Sequence, residues 1–234
     1  QGFTGAGGGG WLQFTANQDI VIGGGQVLAD GGAGSGSTTY GRVYYSSYSS
    51  YTAYRGGSGG GGGGTVKLQT GTEVKTDATS MVSALGGAGG AGYVSGSYYD
   101  MRGGAGGDGR IRLEAPGAAF KPLVDFLGEI TTGTVTSVPA GGTTDWTISS
   151  STTIDTDDGT GAPSGVYSGG VFKVDNFTIA SGATLTITGS KPFLLYASGD
   201  VTLAGTLDAS GGNGLDGGYG YNYSNTGFYQ PTKR

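Results

Sequence analysis

The chain contains neither cysteine nor histidine, and these two absences remove most familiar catalytic chemistry. Without them there is no Ser-His-Asp triad, no thiolate nucleophile, no zinc site of the usual ligands and no common haem ligand. Charge is also scarce. Only 12% of the 234 residues are Asp, Glu, Lys or Arg, and the formal net charge is −5. That balance gives no electrostatic reason to bind nucleic acid, and so few charges do not describe a charge-solvated disordered chain. No stretch approaches the roughly 20 apolar residues of a membrane helix. Proline is rare, at 6 residues, which together with the lack of a Gly-X-Y register excludes collagen.

What is abundant is glycine, 55 residues, several times the usual share of about 7%. After each main glycine run the same strand pattern returns: Gly10-Trp-Leu12-Gln-Phe14-Thr-Ala16, Gly64-Thr-Val66-Lys-Leu68-Gln-Thr70 and Gly109-Arg-Ile111-Arg-Leu113-Glu-Ala115. A looser copy, Phe193-Leu-Leu195-Tyr-Ala197, follows Ser-Lys-Pro instead. An apolar residue at every second position is the period of a strand with one buried face. Three copies continue alike. An acidic residue (Asp19, Glu73 or Asp200) follows, then a short apolar strand, a turn and a third strand, and the unit closes on Ala-x-Gly-Gly. A fourth unit without the glycine lead runs through Val171–Val174, Phe177–Ile179 and Leu185–Ile187. Three short strands and two turns in about 20 residues make the size of one coil of a β-solenoid. The predicted fold is therefore all-β, with parallel β-helix-like coils bearing glycine-rich and tyrosine-rich loops; the alternative is a β-sandwich. Aligned acids in a stack repel one another unless a cation lies between them.

The order of the units is unusual. Residues 171–212 read as the opening of a stack and 11–32, 65–87 and 109–115 as its continuation, yet the continuation comes first in the chain. Three regions follow: a glycine-rich coil region at 1–115 with two tyrosine-rich loops, a Thr/Ser/Gly-rich connection at 116–165, and a coil region at 166–234 with a tyrosine-rich tail. In the connection, Leu123-Val-Asp-Phe126-Leu127 is placed to cap or brace the stack. The two coil regions either fold together within one chain or meet between subunits. The second arrangement is heterologous and propagates into filaments, and it is the expectation adopted here. The glycine runs, such as 56–64, read either as flexible linkers or as laterally packed strands in extended or polyproline-II form.

Thirteen of the 15 tyrosines fall in three loops: Tyr40, Tyr44, Tyr45, Tyr48, Tyr51 and Tyr54; Tyr93, Tyr98 and Tyr99; Tyr219, Tyr221, Tyr223 and Tyr229. Tyr among Ser, Gly and Asn is the composition of antibody binding loops. These residues are candidate binding or subunit contacts, the alternative being that the loops pack on their own scaffold. Asp155, Asp157 and Asp158 form the densest acidic cluster and are candidate calcium ligands, or else an Asx-rich turn. Asn176 and Asn222 head glycosylation sequons that matter only in a source that glycosylates. The acids lack the matched partners of a glycosidase or lyase groove, so no enzyme activity and no cofactor other than the candidate Ca2+ are expected. The chain starts at Gln1 and ends on Lys-Arg without a start Met or signal peptide, which reads as a processed, secreted product.

At Asp-Val-Thr-Leu-Ala-Gly-Thr-Leu-Asp-Ala-Ser-Gly-Gly (200–212) and Gly-Gly-Asp-Gly-Arg-Ile-Arg-Leu-Glu-Ala (106–115) the chain resembles the glycine-rich β-solenoid repeat regions of secreted bacterial surface proteins. The resemblance covers about two thirds of the chain and implies an extracellular structural or adhesive role without catalytic residues. The glycine runs with aromatic loops are also similar in style to bacteriophage tail-fibre adhesins, without a shared motif. Two functions are thus expected. One is a secreted subunit polymerising head to tail with itself at the cell surface. The other is an adhesin for a cell-surface glycan or receptor.

Overall fold

A computed structural model describes residues 5–36, 40–46, 49–54, 57–92, 94–95, 99–100, 102–116, 120–121, 125–135, 137–214, 221–222 and 230–231. In chain order the strands are β1 (Trp11–Ala16), β2 (Ile20–Ile22), β3 (Gln26–Leu28), β4 (Tyr40–Ser46), β5 (Ser49–Tyr54), β6 (Thr65–Thr70), β7 (Val74–Thr76) and β8 (Met81–Ser83). Next come β9 (Val94–Ser95), β10 (Tyr99–Asp100), β11 (Arg110–Glu114), β12 (Phe120–Lys121), β13 (Asp125–Leu127), β14 (Glu129–Gly133), β15 (Trp146–Ile148) and β16 (Thr152–Asp155). The last are β17 (Tyr167–Ser168), β18 (Val171–Val174), β19 (Phe177–Ile179), β20 (Thr184–Thr188), β21 (Phe193–Ala197), β22 (Val201–Leu203), β23 (Thr206–Asp208), β24 (Tyr221–Asn222) and β25 (Gln230–Pro231). The described residues contain no α-helix. The fold is all-β.

Three sheets make up the body. The first runs β17-β18-β21-β1-β6-β11-β14, the second β15-β19-β22-β2-β7-β12 and the third β16-β20-β23-β3-β8-β13. Every ladder in them is parallel except β17 on β18. Consecutive strands go to consecutive sheets, so each three-strand unit crosses all three in the same spatial order. A sandwich of antiparallel sheets does not describe these ladders.

Parallel register puts like on like. Phe193, Leu12, Val66, Ile111 and Ile130 form one row, and Phe172, Leu195, Phe14, Leu68 and Leu113 the next. The alternating apolar residues of each strand therefore meet their counterparts in the units on either side. Apart from Ile130 these are buried, because a unit this thin buries its inner face only against its neighbours. An aromatic column strengthens one half. The Phe172 and Phe193 rings stack at 4.8 Å, and Trp146 meets Phe177 edge-on at 5.1 Å.

The expectation that the two coil regions meet between subunits is corrected. β21, β22 and β23 pair with β1, β2 and β3 of the same chain, and Phe14 lies 5.8 Å from Phe193 and 6.2 Å from Phe177 across that junction. The connection explains how this comes about. Residues 137–145 run back along the stack from the edge that holds β14 to β15, at the other. Val138 faces Gly71, the Gly142 amide donates to Val174 O (2.7 Å), and the Ser198 hydroxyl donates to Gly142 O (2.9 Å). The chain descends, climbs this strap, and descends again to meet its own beginning. The connection also supplies strands β12 to β16 to the three sheets, with Phe126 packed on the core at β13; Leu123 and Val124 lie outside the described residues.

Candidate functional site

The glycine runs are ordered helices. In residues 57–64 the amides of Ser58, Gly61 and Gly64 donate to the carbonyls of Ser35, Gly32 and Ala29, at 2.8, 2.9 and 2.7 Å. One partner steps up by three as the other steps down by three, so the runs are antiparallel and the period is that of polyproline II. On another side Gly60 and Gly63 donate to Gly104 and Gly107 in parallel, and Gly9 donates to Gly62. Six segments form two layers. Residues 5–10, 57–64 and 102–109 run toward the body, and 31–36, 85–92 and 211–214 run away from it. Of the two alternatives for the runs, packed polyproline-II strands are what the chain forms.

The same period decides where glycine is required. A Cβ on Gly61 would lie 1.9 Å from Gly7 O, and one on Gly64 2.0 Å from Gly10 O. Gly107 and Gly104 point outward with nothing within 4 Å. No glycine of these runs has a left-handed φ; close approach is the need, not an unusual backbone. Segments leaving neighbouring strands of a sheet start about 4.8 Å apart, a spacing that leaves no room for side chains between them. Of the two serines in these runs, Ser58 bonds across to its neighbour through its hydroxyl, whereas the Ser35 hydroxyl is buried without a partner. Ser58, buried near the far end, accepts from the Ser35 amide (2.8 Å) and donates to Ser35 O (3.0 Å).

The far end of the bundle is where the tyrosine loops begin. There Gly36 lies against Gly57 and Ala91, Gly103 donates to Gly90 and Gly214 donates to Ala33. From these neighbouring points the chain leaves into three antiparallel hairpins: β4–β5, β9–β10 and β24–β25. In the first, Tyr40 is opposite Tyr54, Val43 opposite Tyr51 and Tyr44 opposite Ser50. Tyr99 is opposite Ser95 and Tyr221 opposite Pro231; Tyr45 lies on β4. Tyr48, Tyr93, Tyr98, Tyr219, Tyr223 and Tyr229 fall outside the described residues. The structure thus brings the three loops to one end of a hydrogen-bonded glycine bundle about 25 Å long.

The acidic cluster at 155–158 turns to backbone amides instead of converging on an ion. Asp155 Oδ1 accepts from the Asp157 amide (2.8 Å), Asp158 Oδ1 from the Thr160 amide (2.8 Å), and Asp157 from the Ser190 amide and hydroxyl. The Ser190 bonds hold the Asp157 carboxyl below its usual range, and those from Thr160 do the same for Asp158. Among the described residues no group of three acids, histidines or cysteines is placed to hold a metal ion. Asp155 and Asp158 thus form Asx turns, which close residues 156–170 over the β15–β18 edge of the stack.

The aligned acids Asp200 and Asp19 belong to a ladder that sequence reasoning recognised only as a row. The Asn176 amides donate to Asp145 Oδ1, the Asp200 amide to Asn176 Oδ1 (2.9 Å), and the Asp19 amide to Asp200 Oδ1 (2.9 Å). The cation expected between the acids is Lys75, whose ammonium bonds Asp19 and lies 3.8 Å from Glu73. Lys75 first and Thr72 second hold the Asp19 carboxyl below its usual range. The Asn176 side chain, a candidate glycosylation site, is spent on this ladder; Asn222 lies on β24, opposite Gln230.

Comparison of the chain with protein-family models, with curated proteins and with solved structures gave no match. Among the described residues no helix is long and apolar enough to cross a membrane.

Proposed function

We propose that this protein is a secreted, non-enzymatic adhesin of the cell surface or of a particle that binds cells. In this reading the three-strand units are coils of a short β-solenoid. That body anchors the glycine bundle, and the tyrosine-rich hairpins at the bundle's far end contact a glycan or a surface receptor. The coil reading is supported by units that cross three sheets in one order. The observation that carries the binding role is the convergence of the three loops on one end of a bundle whose hydrogen bonds fix their origins. A rigid scaffold holding aromatic loops lowers the ordering cost of binding. Changing the six tyrosines of 40–54 to Ser should abolish or weaken binding to cells or to a glycan array while the melting curve of the body is kept. Unchanged binding would remove that loop from the function.

A head-to-tail filament is the second reading, and one observation favours end-on assembly. Ile130 occupies an inward row of the first sheet yet is 47% exposed, because among the described residues no strand of that sheet lies beyond β14. The opposite edge is covered, with Ile154 and Val166 buried and Tyr167 donating to Thr156 O. Electron microscopy separates the readings. Monodisperse particles at all concentrations would end the filament, and fibres lost on Ile130→Lys would support it.

A further inference from the structure

The outer face of the first sheet carries a second candidate surface, far in sequence from the tyrosine loops. Parallel register sets its side chains in straight rows across the strands: Arg110, Thr65 and Trp11 in one, and Arg112, Lys67 and Gln13 in the next. Trp11 is 52% exposed, whereas Trp146, the chain's other tryptophan, is buried in the core. The rows beside Trp11 toward the bundle are bare. Gly8, Gly62 and Gly107 are exposed and hold no side chain, so one flank of the indole is open.

Charge on this face opposes that of the molecule. The chain as a whole is at −5, but here Lys67, Arg110 and Arg112 stand against Glu114 and Glu129. Glu114 is largely covered. Lys67 (3.0 Å) and Arg112 (2.5 Å) share its carboxylate, one anion beneath two cations. Burial opposes the Glu114 charge, but the bonds from Arg112 and Lys67 outweigh it and keep the carboxyl below its usual range. Arg110 meets Glu129 at 3.3 Å with both side chains exposed. A pair of that kind is worth little in water, so Arg110 is free to exchange its partner for a ligand's anion at little cost.

We propose that this face binds an anionic polysaccharide. A sugar ring stacks on the Trp11 indole, and sulfate or carboxylate groups along the chain meet Arg110 and Arg112. Two strand spacings separate Trp11 from Arg110, about 10 Å, a straight and shallow track suited to an extended glycan. Arginine's planar fork matches both kinds of anion, and the apolar face of a sugar lies flat on an aromatic ring. This site does not rest on the tyrosine loops, which can be exchanged without touching it.

The test is titration of the full chain with heparin, with polygalacturonate and with neutral dextran, read by tryptophan fluorescence. Because Trp146 is buried, a ligand-induced blue shift reports Trp11. At least one of the two anionic polymers should shift the emission, with an affinity that falls as salt rises, and dextran should not. Trp11→Ala and the pair Arg110→Ser, Arg112→Ser should each weaken binding about tenfold. Trp11→Phe should recover part of it, and the melting curves of the Trp11 variants should stay close to that of the parent. Arg112→Ser also loosens the covered Glu114 and lowers Tm, so Arg110→Ser alone, which leaves Glu114 paired, should weaken binding at an unchanged Tm. No binding by either anionic polymer, equal binding of dextran, or full affinity in Trp11→Ala and in the arginine pair would overturn the site. Loss of heparin binding on changing the tyrosines of 40–54 would move the site to the loops and overturn it equally.

Discussion

At the residue scale, glycine in this protein is a matter of space. Gly61 and Gly107 belong to neighbouring helices of one layer, but only Gly61 faces a carbonyl at a distance no Cβ can occupy. Gly61→Ala should destabilise by about 1–3 kcal/mol or more through overpacking, seen as a lower Tm. Gly107→Ala should be neutral or stabilising by a few tenths of a kcal/mol, since it only restricts the unfolded chain. Equal effects would contradict the packed bundle. Asp77 gives a pH prediction. Bonds from Ser80 first, then Thr79, lower its pKa from an ordinary 3.8 to about 2. A carboxyl depressed on folding stabilises above its unfolded pKa, and that contribution is lost as pH falls through the folded one. Tm should therefore drop between about pH 4 and pH 2, and Asp77→Asn should show a smaller drop over that window at a lower starting Tm.

At the element scale, the ladder from Asp145 to Lys75 stitches the corners of successive units. Asn176 is its central member, donating to Asp145 and accepting from Asp200. Asn176→Ala leaves the Asp200 amide without its partner and should cost about 1–3 kcal/mol. Asn176→Asp, which keeps that acceptor but sets its carboxylate against that of Asp145, should cost at least as much at neutral pH. Chemical denaturation of the two variants checks the order. The strands and their inward residues were legible in sequence because burial on one face imposes a period of two, and Leu12, Phe14, Val66 and Leu68 follow it. The ladder was not. Its acids align by spacing, but Asn176 and Asp145 come from a unit without the glycine lead and from the connection, and only stacking brings them into line. The packing of the glycine runs was open for a similar reason. Polyglycine carries no amphipathic pattern, so nothing in a single run says whether it has neighbours.

At the scale of the whole molecule, spatial order and chain order differ by a permutation. The strap at 137–145 is the segment that displaces one from the other, and Gly7 donates to Gly212 O at 2.8 Å where the two ends of the described core run side by side. A permutant that begins at Ala140 and joins Arg234 to Gln1 through a flexible linker would list its units in stack order. It should fold to the same structure with a Tm within several degrees of the parent, because every ladder is kept and only an exposed connection is cut. A molten or aggregated permutant would show that the strap holds the units together by more than connectivity. The same geometry bears on assembly. Pairing of β21 with β1 inside one chain uses the surface from which polymerisation was expected, leaving the β14 edge as the place for end-on contact.

The sequence by itself determined the strands, the three-strand unit, its inward residues and the clustering of tyrosines into three loops, because these follow from periodicities of a few residues. Only the tertiary structure decided that the two sets of three-strand units pair with each other in one chain, that the glycine runs pack, that Lys75 answers the aligned acids and that the loops share one end. Each of these depends on which segments distant in the chain become neighbours, from 23 positions apart in the Ser35–Ser58 bonds to 181 in the Asp19–Asp200 bond. Such neighbours are chosen by the free energy of the whole stack, and no local pattern records them.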